Sequence, residues 1–333
     1  MNINEIAKLA GVSRATVSRY LNNGYVSEDK KISIQKVIEE TGYQPSASAQ
    51  TLRSKKTHII GVIIPKINSD SISRMVSGIS RVLTENGYQL LLACTENREQ
   101  KELEYLTIFR ENHVDGILLL GTIFTADHMA MLEQLSVPIV ILGQNLNGYS
   151  CVYHDDYSAT YELTKTLLPT ASSVGYLSAN PNDVSVGKNR CNGFSDATKE
   201  AHFPEQNIFT DTCAFSTESG YEHAKALLAD HPEIDTLICA TDSLAVGAMM
   251  AVREAGRAIP SEVQVAGLND STLSKVTTPT LTTVHFFYEE AGEEAATILL
   301  DSLKKKNPDS SEPGKTLQLH YKLILQGSTR TLS

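Results

Sequence analysis

Two groups of side chains in this chain have the types and spacing to do chemistry. The first is Arg14, Ala15, Thr16, Ser18 and Arg19, which share the open face of one short helix when Val17 and Leu21 face inward. Two guanidiniums, two hydroxyls and a small residue make a cationic face of donors and acceptors, suited to base edges and phosphates. The second group lies at the ends of apolar runs: Pro65 to Ser71, Gly121-Thr122, Gly143-Gln144-Asn145, Thr241-Asp242 and Asn269-Asp270. Amide and hydroxyl side chains dominate it, and these suit the many directional hydrogen bonds of a polyol.

Each group needs elements to position it. Asn2 stands three residues before Glu5, a capping-box start for a helix carrying Ile6, Leu9 and Ala10. Gly11-Val12 interrupts that period, and Ser13 is placed to cap a second helix through Leu21. Two short helices joined by a glycine turn make a helix-turn-helix, with Ala7, Val12, Val17 and Leu21 facing inward. A third helix is expected from Ser27, with Ile34, Val37 and Ile38 inward and Gly42 ending it. The alanine- and serine-rich stretch 45–54 that follows contains Leu52, for which a polar linker offers no core role.

From His58 onward apolar strands alternate with amphipathic helices. Strands are predicted at Ile59 to Ile64, Gln89 to Ala93, Gly116 to Leu120 and Ile139 to Leu142. A second set follows Asp155, with strands at Val174 to Leu177, Ile208 to Asp211, Thr236 to Ala240 and Val263 to Gly267. The fold class expected is α/β: a three-helix headpiece followed by two doubly wound parallel-sheet lobes. Ligands of such sheets bind beyond the carboxyl ends of the strands, so the second chemical group should line a cleft between the lobes.

Composition narrows the function classes. Residues 1–57 carry nine Lys/Arg and five Asp/Glu, a net charge of +4, while the remainder carries −14. One small basic end on an acidic protein suits contact with a polyanion. No apolar run reaches membrane-spanning length and no secretory signal opens the chain, so a cytoplasmic protein without membrane contact is expected. Cys94, Cys151, Cys191, Cys213 and Cys239 are scattered and fit neither a disulfide framework nor a zinc site. His154-Asp155-Asp156 lacks further ligands for a metal and reads better as a helix cap. Dinucleotide, phosphate-loop, nucleophile-elbow and zinc-protease motifs are all missing, so neither enzyme activity nor a cofactor or metal is expected.

The run Asn2 to Asn23, with A-G-V-S-x-x-T-V-S-R-x-L-N inside it, resembles the DNA-binding headpiece of the LacI/GalR family of bacterial transcription regulators. YQPSASAQTLRSKKT resembles that family's hinge, and Ile59 to Gln326 resembles its periplasmic-binding-protein-like effector domain. The resemblance implies a homodimer on a pseudo-palindromic DNA operator. Asn2, Ser13, Arg14, Ala15, Thr16, Ser18, Arg19 and Asn22 would then make base and backbone contacts. Arg14 could reach guanine or phosphate. Ala49 would let two hinge helices approach, and Leu52 would wedge into a central minor-groove step. Gly187 to Phe194 matches G-x-x-R-x-x-G-F, which implies that Arg190 contacts the effector, and Phe215 matches an aromatic position that stacks on it.

Two departures alter the expected ligand. Asn269-Asp270 stands where the family often has Asp-Asp, and Gly143-Gln144 where Asp-Arg is common. With N-S-D-S-I at Asn68 to Ile72 and H-D-D-Y at His154 to Tyr157, the details are most similar to the sucrose-operon repressors of Gram-positive bacteria. The effector set expected is Ser71, Ile72, Thr122, Gln144, Arg190, Phe215, Thr241, Asp242 and Asn269. Lys66, Lys188 and Arg190 would equally suit a sugar phosphate, so sugar and sugar phosphate both stand.

The organisation expected is a headpiece at 1–44, a hinge and linker at 45–57, and a two-lobed domain at 58–333. Its amino-terminal lobe takes 58–154 and 285–312, and its carboxyl-terminal lobe takes 155–284 and 313–330. No leucine heptad follows Tyr321 to Leu325, which favours a dimer over a tetramer. The rival class is a two-lobed sugar-binding sensor or transport-type binding protein without a DNA-binding role.

Overall fold

The computed structural model describes residues 1–22, 24–43, 56–305 and 314–331. They form two compact units, 1–57 and 58–333. In the first, α1 (Ile3–Leu9) starts with a full capping box. The Asn2 side chain accepts from the Asn4 and Glu5 N–H groups at 2.9 and 3.1 Å, and the Asn2 N–H donates back to Glu5 at 2.9 Å. Gly11, at φ 65°, turns the chain, and the Ser13 hydroxyl accepts from the Thr16 N–H to begin α2 (Arg14–Leu21). The third helix, α3 (Glu28–Thr41), ends at left-handed Gly42. Ile6, Ala7, Ala10, Val17 and Ile34 form the small core. Leu9 is exposed, because Ala10 takes the inward position beside Ile6 and Ala7.

The second unit contains two parallel sheets. One has the order β11-β5-β4-β3-β1-β2, built from β1 (Ile59–Ile64), β2 (Gln89–Cys94), β3 (Gly116–Leu119), β4 (Ile139–Leu142), β5 (Ser150–His154) and β11 (Thr316–Leu319). The other has the order β7-β6-β8-β9, from β6 (Val174–Ser178), β7 (Ile208–Thr212), β8 (Thr236–Cys239) and β9 (Gln264–Ala266). Central strands such as β1, with sequence IIGVII, are nearly all apolar because helices cover both faces of the sheet.

The first sheet has six strands where four were expected. β5 and β11 have mixed polar sequences, SCVYH and TLQL, without a long apolar run. The pairing of β11 with β5 also corrects the lobe boundary, since Thr316–Leu319 belongs to the amino-terminal lobe and not to the carboxyl-terminal one. A helix at Tyr288–Lys304 packs along the helix Asp70–Glu85 in that lobe. Gly78 and Gly292 let the two backbones touch, since a Cβ on Gly78 would strike the Glu289 carbonyl and one on Gly292 the Met75 carbonyl.

The chain crosses between lobes three times: after β5, after β10 (Thr283–Phe286), and between β11 and β12 (Tyr321–Ile324). β10 and β12 pair antiparallel at the crossing. His154, at the first crossing, is only 6% exposed and packs against Phe286 and Tyr288 at ring distances of 5.3 and 4.9 Å. Burial pushes its imidazole down to about 4, with no partner for Nε2 among the described residues.

The unfolded chain therefore binds a proton below its ordinary His pKa that the folded chain refuses until about pH 4. Stability is lost as pH falls through that window, by about 2–3 kcal/mol at pH 4.5 from this group. Urea unfolding at pH 7 and 4.5 should show the His154→Gln variant losing less stability than the parent chain by that amount; equal losses would contradict the assignment.

Candidate ligand cleft and nucleic-acid interface

On α2, Arg14, Ala15 and Arg19 are exposed, and neither arginine makes an ion pair among the described residues. Ser13 and Thr16 share a hydroxyl contact of 2.9 Å at the amino end of the same face. Asn22 is exposed and donates to the Ser18 carbonyl at 2.6 Å. Ser18 itself corrects the expectation: it is 5% exposed, turned toward the core beside Val17, so it is not on the open face. Asn2 is exposed, with its side chain committed to the α1 cap. Tyr25, shortly after α2, is 89% exposed and was not among the expected contact residues. Ala49 and Leu52 lie outside the described residues.

In the two-lobed unit a cleft of about 1020 Å³ opens between the strand ends. Five expected residues line it: Ser71 and Thr122 from one lobe, and Phe215, Asp242 and Asn269 from the other. Thr95, Asn180 and Ser216 also line it, following β2, β6 and β7. The strand-end rule would have found these three had it been applied to every strand. Lys66 reaches across the cleft, with Nζ 3.4 Å from the Phe215 carbonyl and 5.2 Å from its ring centre. Burial lowers its ammonium pKa.

Four expected residues do not line the cleft. Ile72 turns into the core of the amino-terminal lobe. Buried Gln144 donates to the Gly121 carbonyl at 2.8 Å. Thr241 caps the helix Asp242–Glu254. Arg190 is 2% exposed, and its charge is already used. Its Nε donates to Asp156 at 2.7 Å, its Nη1 to the Ala240 carbonyl at 2.5 Å and to Asn269 Oδ1 at 3.1 Å, and it lies 4.9 Å over the Phe286 ring. Burial opposes the guanidinium charge, but Asp156 and Tyr288 together hold its pKa above the ordinary value.

Arg190 therefore reaches the cleft through Asn269. The Asn269 side-chain oxygen also accepts from the Tyr288 hydroxyl at 2.8 Å, which fixes the amide orientation. Its NH₂ is the end left for the cleft. Asp242 is likewise a wall residue engaged from behind, accepting from the Ser271 N–H at 2.7 Å and the Thr283 hydroxyl at 2.6 Å. The Asp155 side chain caps the helix Asp156–Leu167, and no group of His, Cys, Asp and Glu among the described residues is arranged to hold a metal ion.

Comparison with known proteins matches these two units to two families of models. Residues 2–46 match bacterial regulatory proteins of the lacI family, and residues 57–323 match the periplasmic binding proteins and sugar binding domain of the LacI family. The chain belongs to the LacI family. It is thus a DNA-binding transcriptional regulator and not an enzyme, and the domain at 2–46 removes the transport-protein alternative. The sucrose operon repressor of Staphylococcus xylosus is 32% identical over 88% of this chain and 91% of its own length. The ribose operon repressor of Bacillus subtilis is 30% identical over 91% of this chain and 92% of its own. A CelR–cellobiose complex is 26% identical with a TM-score of 0.73, covering 98% of this chain and 99% of its own. The lac repressor dimer bound to operator shares the fold at a TM-score of 0.89, 20% identity and 99% coverage of both chains.

In this LacI-family chain, Arg190→Met leaves Asp156 buried and unpaired, which should cost about 3–5 kcal/mol in urea unfolding. Adding Asp156→Asn should restore part of that loss, because the pair acts as a unit. Additive losses would show that the two are not coupled.

Proposed function

We propose that the chain is a homodimeric cytoplasmic repressor whose affinity for a pseudo-palindromic operator is set by a neutral, sucrose-type sugar in the interlobe cleft. The observation that carries this reading is the cleft itself: hydroxyl and amide groups from both lobes face one space, in a chain that also bears a helix-turn-helix. The sucrose operon repressor relative supports the sugar class. Arg14 and Arg19 are the groups for base and phosphate contact, and the exposed Tyr25 hydroxyl is a further phosphate donor.

Charge favours a free sugar over its phosphate. Carboxylates at Glu99, Glu102, Asp183 and Asp242 line the cleft with an Asp70 already paired to Arg74, against Lys66 and an Arg98 already paired to Glu96. Arg190 is held by Asp156, and Lys188 is exposed and does not line the cleft. A phosphate dianion would therefore meet net negative potential. A sugar that contacts both lobes favours one lobe arrangement over another, and linkage makes operator and sugar affect each other's affinity by the same factor.

Fluorescence anisotropy on a labelled upstream duplex should show sucrose changing operator affinity at least tenfold, with sucrose phosphate weaker. The reverse order would overturn the neutral-ligand reading. In the same assay Leu52→Ala should weaken specific binding far more than non-specific binding; equal losses would contradict a minor-groove wedge.

A further inference from the structure

One carboxyl group that lines the cleft has an oxygen that the fold leaves without a hydrogen bond. Glu102, on the helix Glu99–Glu111, lines the cleft yet is only 6% exposed. Its Oε1 has no hydrogen-bond partner among the described residues. Behind it lies His128, fully buried, with Nε2 at 3.4 Å from Oε1 and equally without a partner. The other ring nitrogen settles the tautomer. Nδ1 accepts from the Thr125 N–H at 3.3 Å and lies 2.8 Å from the Thr125 hydroxyl, within a capping box. The proton of the neutral ring is therefore on Nε2, the nitrogen 3.4 Å from Glu102 Oε1, although the two make no hydrogen bond.

We propose that Glu102, packed against His128, is a specificity-determining residue of the cleft, its carboxylate accepting a hydrogen bond from a hydroxyl of the bound sugar. This rests on the reading of the cleft as a sugar site. A fold gains nothing from a buried carboxylate without a partner, since the desolvation cost stands uncompensated. A ligand hydroxyl reaching this carboxyl from the cleft supplies a donor that the fold does not. The neighbours do not neutralise the group: Glu99 lies on its own helix, Asp127 beside His128, and Arg98 and Lys101 are both committed to Glu96. Lys66, along the cleft wall, lies over Phe215. Burial first, and Glu99 second, push the Glu102 carboxyl up to about 7, while burial lowers His128 and keeps it neutral.

Two consequences follow from the sign of these shifts. The sugar binds the ionised form, so affinity rises with pH and falls as Glu102 takes up a proton. With a free-protein value of about 7, the ionised fraction changes about tenfold between pH 6 and 8. The ionised group also opposes folding above its ordinary carboxylate range, so removing its charge relieves the fold.

The test is calorimetric titration of the full-length chain with sucrose, glucose and fructose at pH 6 and 8, for the parent, Glu102→Gln and Phe215→Ala. The parent should bind sucrose about tenfold more tightly at pH 8. Glu102→Gln should bind about tenfold more weakly than the parent at pH 8, lose the pH dependence, and unfold at an equal or higher temperature. Weaker binding by Phe215→Ala with no change in Glu102→Gln would overturn this inference and leave the sugar cleft standing. Binding unchanged in both variants, or no binding of any of the three sugars by the parent, would overturn both. A weaker Glu102→Gln that also unfolds at a lower temperature would assign the residue to the scaffold and overturn the inference.

Discussion

A buried guanidinium is tolerable only where its charge is paired and its donors find acceptors, and the two-lobed unit is organised around one whose Nε and Nη1 do. Arg190 draws its partners from four places: Asp156 just after the first lobe crossing, the Ala240 carbonyl at the end of β8, Asn269 on the cleft wall and the Phe286 ring before the second crossing. A charge this deep fixes geometry because any shift of a partner strands it in low dielectric. The cleft wall and two of the three crossings are thereby held to a common point. Asn269, at φ 125°, sits in a backbone conformation that non-glycine residues rarely adopt, and its two accepted hydrogen bonds offset that strain.

The same centre explains why part of the site was legible in the sequence and part was not. The motif around Arg190 marked a neighbouring segment, since the turn before it brings Asn180 and Asp183 to the cleft. What the motif could not convey is that Asp156, 34 residues earlier, takes the charge and leaves Asn269 as the group at the surface. Ser71, Thr122, Asp242 and Asn269 were found because a parallel sheet puts its strand ends in one place, and that rule needs only the strands, whereas Phe215 came from the family's aromatic position. Gln144 and Thr241 obeyed the same rule and still failed, because a nearby carbonyl and a helix end claimed their side chains first.

Fold legibility followed the same division between local and long-range causes. The headpiece helices were readable from caps at Asn2 and Ser13 and the left-handed Gly42, all local signals. Ser18 broke the pattern because three short helices bury some polar positions once packed. Strands β5 and β11 were hidden because an edge pairing of distant segments needs no apolar run of its own. Glu102 was the hardest to anticipate: on a helix, a glutamate is ordinarily a solvated surface group, and only the packing of His128 over it makes it unusual.

A sensor also needs its lobes to have somewhere to move. Among the described residues, the hydrogen bonds between the lobes include Lys66 to the Phe215 carbonyl at 3.4 Å, Thr272 to Asp70 at 3.1 Å, Ser185 to the Gly143 carbonyl at 2.5 Å, and Arg74 to the Asn269 and Asp270 carbonyls at 3.4 and 2.5 Å. Each such bond contributes about 1 kcal/mol net, because water takes its place when it breaks. The Arg190 guanidinium, by contrast, is only 2% exposed and paired to a buried Asp156. The fold thus separates a rigid pivot from a set of weak, exposed latches, and a ligand touching both walls acts on the latches. To move an equilibrium from 1:99 to 99:1 it must prefer one arrangement by about 5.5 kcal/mol. Several hydroxyl contacts shared between the two lobes, made in one arrangement and broken in the other, are enough to supply that difference.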